Sequence, residues 1–106
     1  MTQLIPLSNG EIYTFKLVTG EEVVAKVADG IRNDWYEVSK PCTVMADPSG
    51  KVRMVPSALT MELDKNVTIN KSAVAMIFDA NDSVKKSYEQ ATSGIIQPKK
   101  PTLLKG

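Results

Sequence analysis

The fold is decided by the stretch Ile12-Tyr-Thr-Phe-Lys-Leu-Val-Thr-Gly-Glu-Glu-Val-Val-Ala-Lys-Val-Ala28. At its start every second residue from Tyr13 to Leu17 is apolar, which is the alternation of a half-buried strand. Gly20 can adopt a positive φ angle and so can turn the chain. Residues 22–28 have high β-propensity and provide a second strand. The stretch therefore predicts a β-hairpin.

Two more strands are predicted directly after the hairpin. Residues 36–46 form the third, which follows the single tryptophan, Trp35. Pro41 lies inside this strand and has no N–H group, so it must lie at a sheet edge or at a bend. Residues 47–50, Asp-Pro-Ser-Gly, have the signature of a type I turn and lead into a fourth strand at 51–55.

The next segment, residues 57–66, has two interpretations. It is either a bent continuation of the fourth strand or a loop with apolar residues on one face, namely Leu59, Met61 and Leu63. Residues 67–69 and 72–78 then restore the β pattern and are counted as a fifth strand, which the polar pair Asn70-Lys71 interrupts.

After residue 79 the apolar period changes from two to between three and four. Val84, Tyr88 and Ala91 form the stripe of an amphipathic helix, predicted over residues 81–93. Asp79 or Asn81 can cap its start, and Gly94 is expected to stand just after its end.

A chain of 106 residues, 42% apolar and 24% charged, predicts one small domain over residues 1–94. A bent sheet or barrel, rather than a sandwich, is expected over residues 11–79, and a flexible basic tail with two prolines over 95–106. The predicted sheet is small, antiparallel and strongly bent, with a thin core. Small domains with thin cores often gain stability by association, and open sheet edges need pairing.

Histidine is absent and there is a single cysteine, Cys42. These two facts remove imidazole general bases, Ser-His and Cys-His pairs and ordinary zinc sites. Neither paired carboxylates nor a phosphate-binding loop pattern is present. Residues 79–90 imitate a calcium loop but have Val at its sixth position and Gln at its twelfth. We therefore expect no enzymatic activity, no metal and no cofactor, and a Cys42 thiol that is simply a small buried apolar group.

The N-terminus has neither a basic segment nor a long apolar segment, and the longest apolar run, residues 73–78, is too short for a membrane span. We expect a cytoplasmic protein with no membrane contact. Its net charge of +1 is unevenly distributed. Residues 1–82 hold eight Lys or Arg and eleven Asp or Glu, giving −3, whereas residues 83–106 hold five and one, giving +4.

Two stretches resemble the motifs of the Sm-like (LSm/Hfq) proteins. Phe15-Lys-Leu-Val-Thr-Gly-Glu-Glu-Val-Val-Ala-Lys-Val27 is similar to the first motif, with its strand, turn glycine and second strand. Val67-Thr-Ile-Asn-Lys-Ser-Ala-Val-Ala-Met-Ile77 resembles the second motif. With the strands between them, the two stretches cover residues 12–78.

This chain departs from the family pattern in three places. It has Asn70-Lys71-Ser72 where the family usually has Arg-Gly or Lys-His. The Asp and Asn of the first motif fall only loosely on Asp29, Asn33 or Asp34. The helix follows the sheet, whereas Sm-like chains generally begin with one. The resemblance is therefore to a divergent member, of the kind encoded by phages that infect cyanobacteria.

The resemblance implies a five-stranded, SH3-type barrel that forms a homo-oligomeric ring of about five to seven subunits by pairing edge strands. It also implies single-stranded RNA binding, as an RNA chaperone or regulator, in the host cytoplasm if the protein is phage-encoded. The alternative is a structural or protein-interaction module, such as a phage assembly component, that keeps the ring without the RNA site.

An RNA site needs an aromatic face, a cation and amide groups. The candidates occupy two loops: Arg32, Asn33 and Trp35 after the second strand, and Asn70 and Lys71 before the last. Each has an ordinary structural interpretation as well. A lone tryptophan in a small barrel is more often a core or interface anchor, and a lysine in a turn is usually just solvated.

Overall fold

The computed structural model describes residues 7–31, 34–58, 60–62 and 64–96, with backbone alone at 29–31 and 94–96. Six strands and one α-helix are connected in the following order: β1 (Ile12–Leu17), β2 (Glu22–Ile31), β3 (Trp35–Ala46), β4 (Val52–Pro56), β5 (Val67–Asn70), a single 3₁₀ turn (Lys71–Ala73), β6 (Val74–Asp79) and α1 (Asp82–Ile96). Among these described residues, no helix is long and apolar enough to cross a bilayer.

All strands belong to one antiparallel sheet with the order β4-β3-β2-β1-β6, and β5 also pairs with β3. The central hairpin pairs Tyr13 with Ala25 and Phe15 with Val23, as the apolar alternation predicted. A mainly β fold with one C-terminal helix is thus confirmed. The sheet is open within the described residues, because β4 and β6 at its two ends do not pair with each other.

The number of strands differs from the predicted five. The segment that was expected to form one interrupted last strand contains two strands, which pair with different partners. Residues of β5 pair with the first part of β3, whereas β6 pairs with β1. The turn Lys71–Ala73 redirects the chain between them. A local pattern cannot reveal this, because both strands have the same alternation.

Strand β3 bends sharply at Lys40 and Pro41. Lys40 has φ = 48°, in the left-handed region that non-glycine residues rarely adopt. The pairs Val24 with Cys42 and Lys26 with Ser39 leave one extra residue on β3. This is the geometry of a β-bulge. Pro41 therefore lies at a bend, as predicted from its missing N–H.

The bulge changes which face of the sheet the even-numbered residues of β3 occupy. Before it, Val38 packs into a first core with Tyr13, Phe15 and Val27. After it, Cys42 packs into a second core beneath α1, with Ile12, Val24, Ala80 and Tyr88. One strand thus contributes to both cores.

Cys42 is 1% exposed, which confirms its interpretation as a small buried apolar group. Burial raises the pKa of its thiol, so that the thiolate is disfavoured at neutral pH.

Helix α1 starts as predicted but ends later. The side chain of Asn81 caps it by accepting from the Val84 N–H at 2.8 Å. The helix continues through Gly94 to Ile96, so the expectation that Gly94 follows the helix is wrong. A glycine within a helix costs only about 1 kcal/mol, which does not force termination. Residues 97–106 of the expected tail lie outside the described residues.

The segment between β4 and β5 contains no strand in its described residues, 57–58, 60–62 and 64–66. Of the two interpretations, the loop therefore applies to them. Leu59 and Leu63 lie outside the described residues. Ser57 ties the start of the loop to the β3 bulge, since its N–H donates to the carbonyl oxygen of Pro41 at 3.0 Å.

Candidate functional site

Three of the five candidate residues meet where β3 begins and β5 ends. Trp35 and Asn70 are register partners on the two strands. Lys71 follows Asn70 directly, and its backbone N–H donates to the carbonyl oxygen of Asp34 at 2.9 Å. Arg32 and Asn33, the other two candidates, lie outside the described residues.

The indole of Trp35 lies at the surface and is 41% exposed. Strand alternation places it on the face opposite Tyr36, whose ring packs against the first core and lies 5.5 Å from the Phe15 ring. The exposure argues against Trp35 as a core anchor. An interface anchor and a base-stacking surface both need an exposed indole, so these two interpretations remain open.

The Lys71 ammonium is held over the ring of Tyr36, with 5.1 Å between Nζ and the ring centroid. This is a cation–π contact. Burial raises the pKa of the Tyr36 phenol, so the ring is neutral at physiological pH. Tyr36 therefore holds the cation on its own face of the sheet, at the turn that follows Asn70. Tyr36 was not among the predicted site residues, although its inward position follows from the alternation around Trp35.

Asn70 has a structural role through its amide oxygen. The oxygen accepts from the N–H of Ser72 at 2.9 Å and from its hydroxyl at 2.8 Å, which caps the 3₁₀ turn. This holds the chain in the orientation that presents Lys71. The amide NH₂ group is the part of Asn70 that can donate to a ligand.

An acidic side chain, that of Glu37, lies beside Trp35 and Asn70. Glu37 lies two residues after Trp35, and its carboxylate accepts from Asn66 Nδ2 at 2.9 Å. A carboxylate on this face opposes the approach of a phosphate, and the Lys71 ammonium lies over Tyr36 on the other face. The arrangement is therefore suited to stacking first and to charge neutralisation second.

The described residues contain no group of three or more His, Cys, Asp or Glu side chains arranged to hold a metal ion. What Trp35, Asn70 and Lys71 offer is a flat apolar face, two amide donors and one cation. Compared with known proteins, the chain matches no protein-family model and no curated protein.

Proposed function

We propose that this protein is a divergent Sm-like protein that forms a ring and binds single-stranded RNA without catalysis. The observation that carries the proposal is the register of Trp35 opposite Asn70, with Lys71 following. Two segments distant in the sequence thereby bring an exposed aromatic face and an amide together on one face of the sheet, with a cation at the adjoining turn. We propose the cytoplasm, of the host if the protein is phage-encoded, as its location.

The chemistry of the cluster suits single strands better than duplexes. Stacking on an aromatic side chain contributes roughly 1–3 kcal/mol per base and is available only to an unpaired base. Lys71, at the turn after Asn70, would attract the phosphate backbone of the strand and would contribute a salt-dependent part of the affinity. Each single contact is weak, so repetition around a ring would be needed for tight binding.

The two edge strands of the open sheet are the argument for a ring. Strand β6 pairs only with β1 among the described strands and carries the exposed side chains of Met76 and Phe78. Strand β4, at the opposite end, carries Val52, which is 54% exposed. When β4 of one copy pairs with β6 of the next, the interface is head-to-tail. Such an interface gives a closed ring if the rotation from one copy to the next adds up to a full turn. Such pairing would join the open sheets of neighbouring copies into one continuous sheet around the ring.

RNA binding is tested by anisotropy of labelled oligo-U and oligo-A at a series of salt concentrations. We expect Trp35→Ala to weaken binding by about tenfold, as loss of one stacked base predicts. Trp35→Phe should retain most of the affinity. Lys71→Ala should flatten the dependence on salt.

Lys51→Ala is the matched control, because Lys51 is exposed in the turn between β3 and β4. Its affinity should stay close to that of the wild type. Absence of binding at low salt, or equal losses in the Lys51 and Lys71 variants, would contradict the RNA proposal.

The alternative is a structural or interaction module that keeps the ring but does not bind RNA. It is favoured by Asn70, whose amide oxygen is engaged in the turn, and by the acidic Glu37 beside Trp35. In that case Trp35 would be an interface anchor. A stable oligomer without RNA binding would select this alternative, and a monomer by light scattering at micromolar concentration would contradict both.

A further inference from the structure

A second surface feature lies on the other side of the β3 bulge, where α1 crosses the sheet. It is an open cleft of about 350 Å³ with a mainly polar lining, which includes Lys26, Ser39, Lys40, Tyr88, Glu89 and Ser93. Trp35, Tyr36, Asn70 and Lys71 are not among the residues that line it. An inference from this cleft therefore does not depend on the RNA proposal.

The charge of the cleft is positive. Lys26 and Lys40 are both half-buried, and neither forms an ion pair with a carboxylate of the described chain. Glu89 is the acidic residue of the lining, and it is exposed. Two lysines against one glutamate leave a net charge of +1 in the lining of the cleft. That favours an anion.

Hydroxyl groups complement the two cations. The Tyr88 hydroxyl donates to the carbonyl oxygens of the bulge, and the Thr92 hydroxyl donates to the Tyr88 carbonyl oxygen at 2.9 Å, so both are already engaged. The hydroxyls of Ser39 and Ser93 make no hydrogen bond within the described part of the chain. They can donate to an oxyanion that lies between the two lysines.

The backbone at the cleft is strained. Lys40 is the one non-glycine residue with a positive φ among the described positions. Glycine or asparagine would adopt that conformation more readily. Strained residues cluster at ligand-binding sites, and here the strained residue is also one of the two cations.

From the unpaired lysines, the two hydroxyls and the strained backbone, we propose that the cleft between α1 and the β3 bulge binds a phosphate group. The two lysine ammonium groups neutralise it, and Ser39 and Ser93 donate hydrogen bonds to its oxygens. The group is supplied either as free phosphate or a phosphomonoester, or by the phosphodiester of a nucleic-acid strand.

The test is an NMR titration of the full chain that follows the backbone amides of Ser39, Lys40 and Ser93. The probes are inorganic phosphate, adenosine 5′-monophosphate and the dinucleotide UpU, which has only a phosphodiester. Sodium chloride keeps the ionic strength constant, so that general screening does not contribute. We expect saturable shifts at these amides with at least one probe, and the probe that binds most tightly identifies the source.

Three variants give the residue-level test. Lys26→Gln and Lys40→Gly should each weaken binding about fivefold, the upper value for a partly exposed ion pair. Lys40→Gly preserves the left-handed backbone, so its loss is one of charge. Glu89→Gln should tighten binding about twofold, because it removes the opposing carboxylate. Lys51→Gln, in the remote turn, should have no effect.

Shifts that increase linearly without saturation for all three probes would overturn the proposal. So would unchanged affinity in Lys26→Gln. Lys26 lies on β2 and pairs with Ile12 of β1, so its variant decides the question even if Lys40→Gly alters the bulge.

Discussion

The hydroxyl of Tyr88 on α1 donates a hydrogen bond to the carbonyl oxygen of Lys40 in β3, with 2.9 Å between the two oxygens. It also lies 3.0 Å from the carbonyl oxygen of Ser39. Lys40 is the residue with the left-handed backbone, so the helix holds the bulge at its most strained point. Because the bulge sends Val38 and Cys42 into different cores, this contact links the helix to both faces of the sheet.

Removing the Tyr88 hydroxyl should destabilise the protein. In Tyr88→Phe the ring remains, but the carbonyl oxygens of the bulge lose their buried donor, at a cost of about 1–3 kcal/mol. Urea unfolding followed by circular dichroism measures the change. Tyr13→Phe is the control, since the Tyr13 hydroxyl accepts one hydrogen bond, from the Ser8 N–H, whereas the Tyr88 hydroxyl contacts two carbonyl oxygens. A smaller loss for Tyr88→Phe than for Tyr13→Phe would contradict the role given to this contact.

The free energy of unfolding should fall at alkaline pH because of Tyr88. Burial, followed by the nearby Cys42, raises the pKa of Tyr88 above its ordinary value of 10.0. The unfolded chain then loses the phenolic proton at a lower pH than the folded chain does. The stabilisation is fully present below pH 10 and decreases as the pH rises above it.

Unfolding midpoints in urea between pH 8 and 11 test this expectation. The decline above pH 10 should be shallower in Tyr88→Phe, which has no proton to lose at this position. An identical decline in both proteins would show that Tyr88 does not control the alkaline limit.

Substitutions at Lys40 should separate backbone strain from side-chain effects. Lys40→Val should cost about 2 kcal/mol, because a β-branched side chain is poorly tolerated at a positive φ. Lys40→Gly should be neutral or stabilising by up to about 1 kcal/mol, since glycine adopts this conformation without steric cost. Thermal unfolding of the two variants provides the comparison. If valine is tolerated as well as glycine, the left-handed conformation is not maintained in solution.

The edge of β6 should control assembly if the proposed ring forms. Met76 is 55% exposed on this edge strand, and Met76→Lys introduces a charge of the kind that blocks strand pairing. We expect the variant to shift toward the monomer in light scattering. Val18→Lys is the control, because Val18 is 64% exposed but lies in the turn after β1. Loss of assembly in both variants would point to a general charge effect, and loss in neither would exclude β6 as the pairing edge.

Local patterns predicted the elements that depend on neighbouring residues alone. The hairpin over β1 and β2 follows from alternation around Phe15 and from the turn at Gly20, which has φ = 107°. The helix start follows from Asn81, an N-cap that acts within one turn. The end of the helix and the split between β5 and β6 were not predicted correctly. Gly94 permits the helix either to end or to continue, and the Asn70-Lys71 pair permits either one strand or two. Tertiary packing selects between these outcomes.

The sequence by itself determined the mainly β class, the central hairpin, the capped helix and the placement of Pro41 at an edge or a bend, because each arises from steric preferences and hydrogen bonds within a few residues. Only the tertiary structure decided that Trp35 lies opposite Asn70, that Lys71 stacks on Tyr36, and that Tyr88 reaches Lys40. These relationships join segments far apart in the chain, and they depend on strand register and on the bulge in β3. Register is set by burial of whole faces, which is a property of the assembled sheet and not of any single stretch.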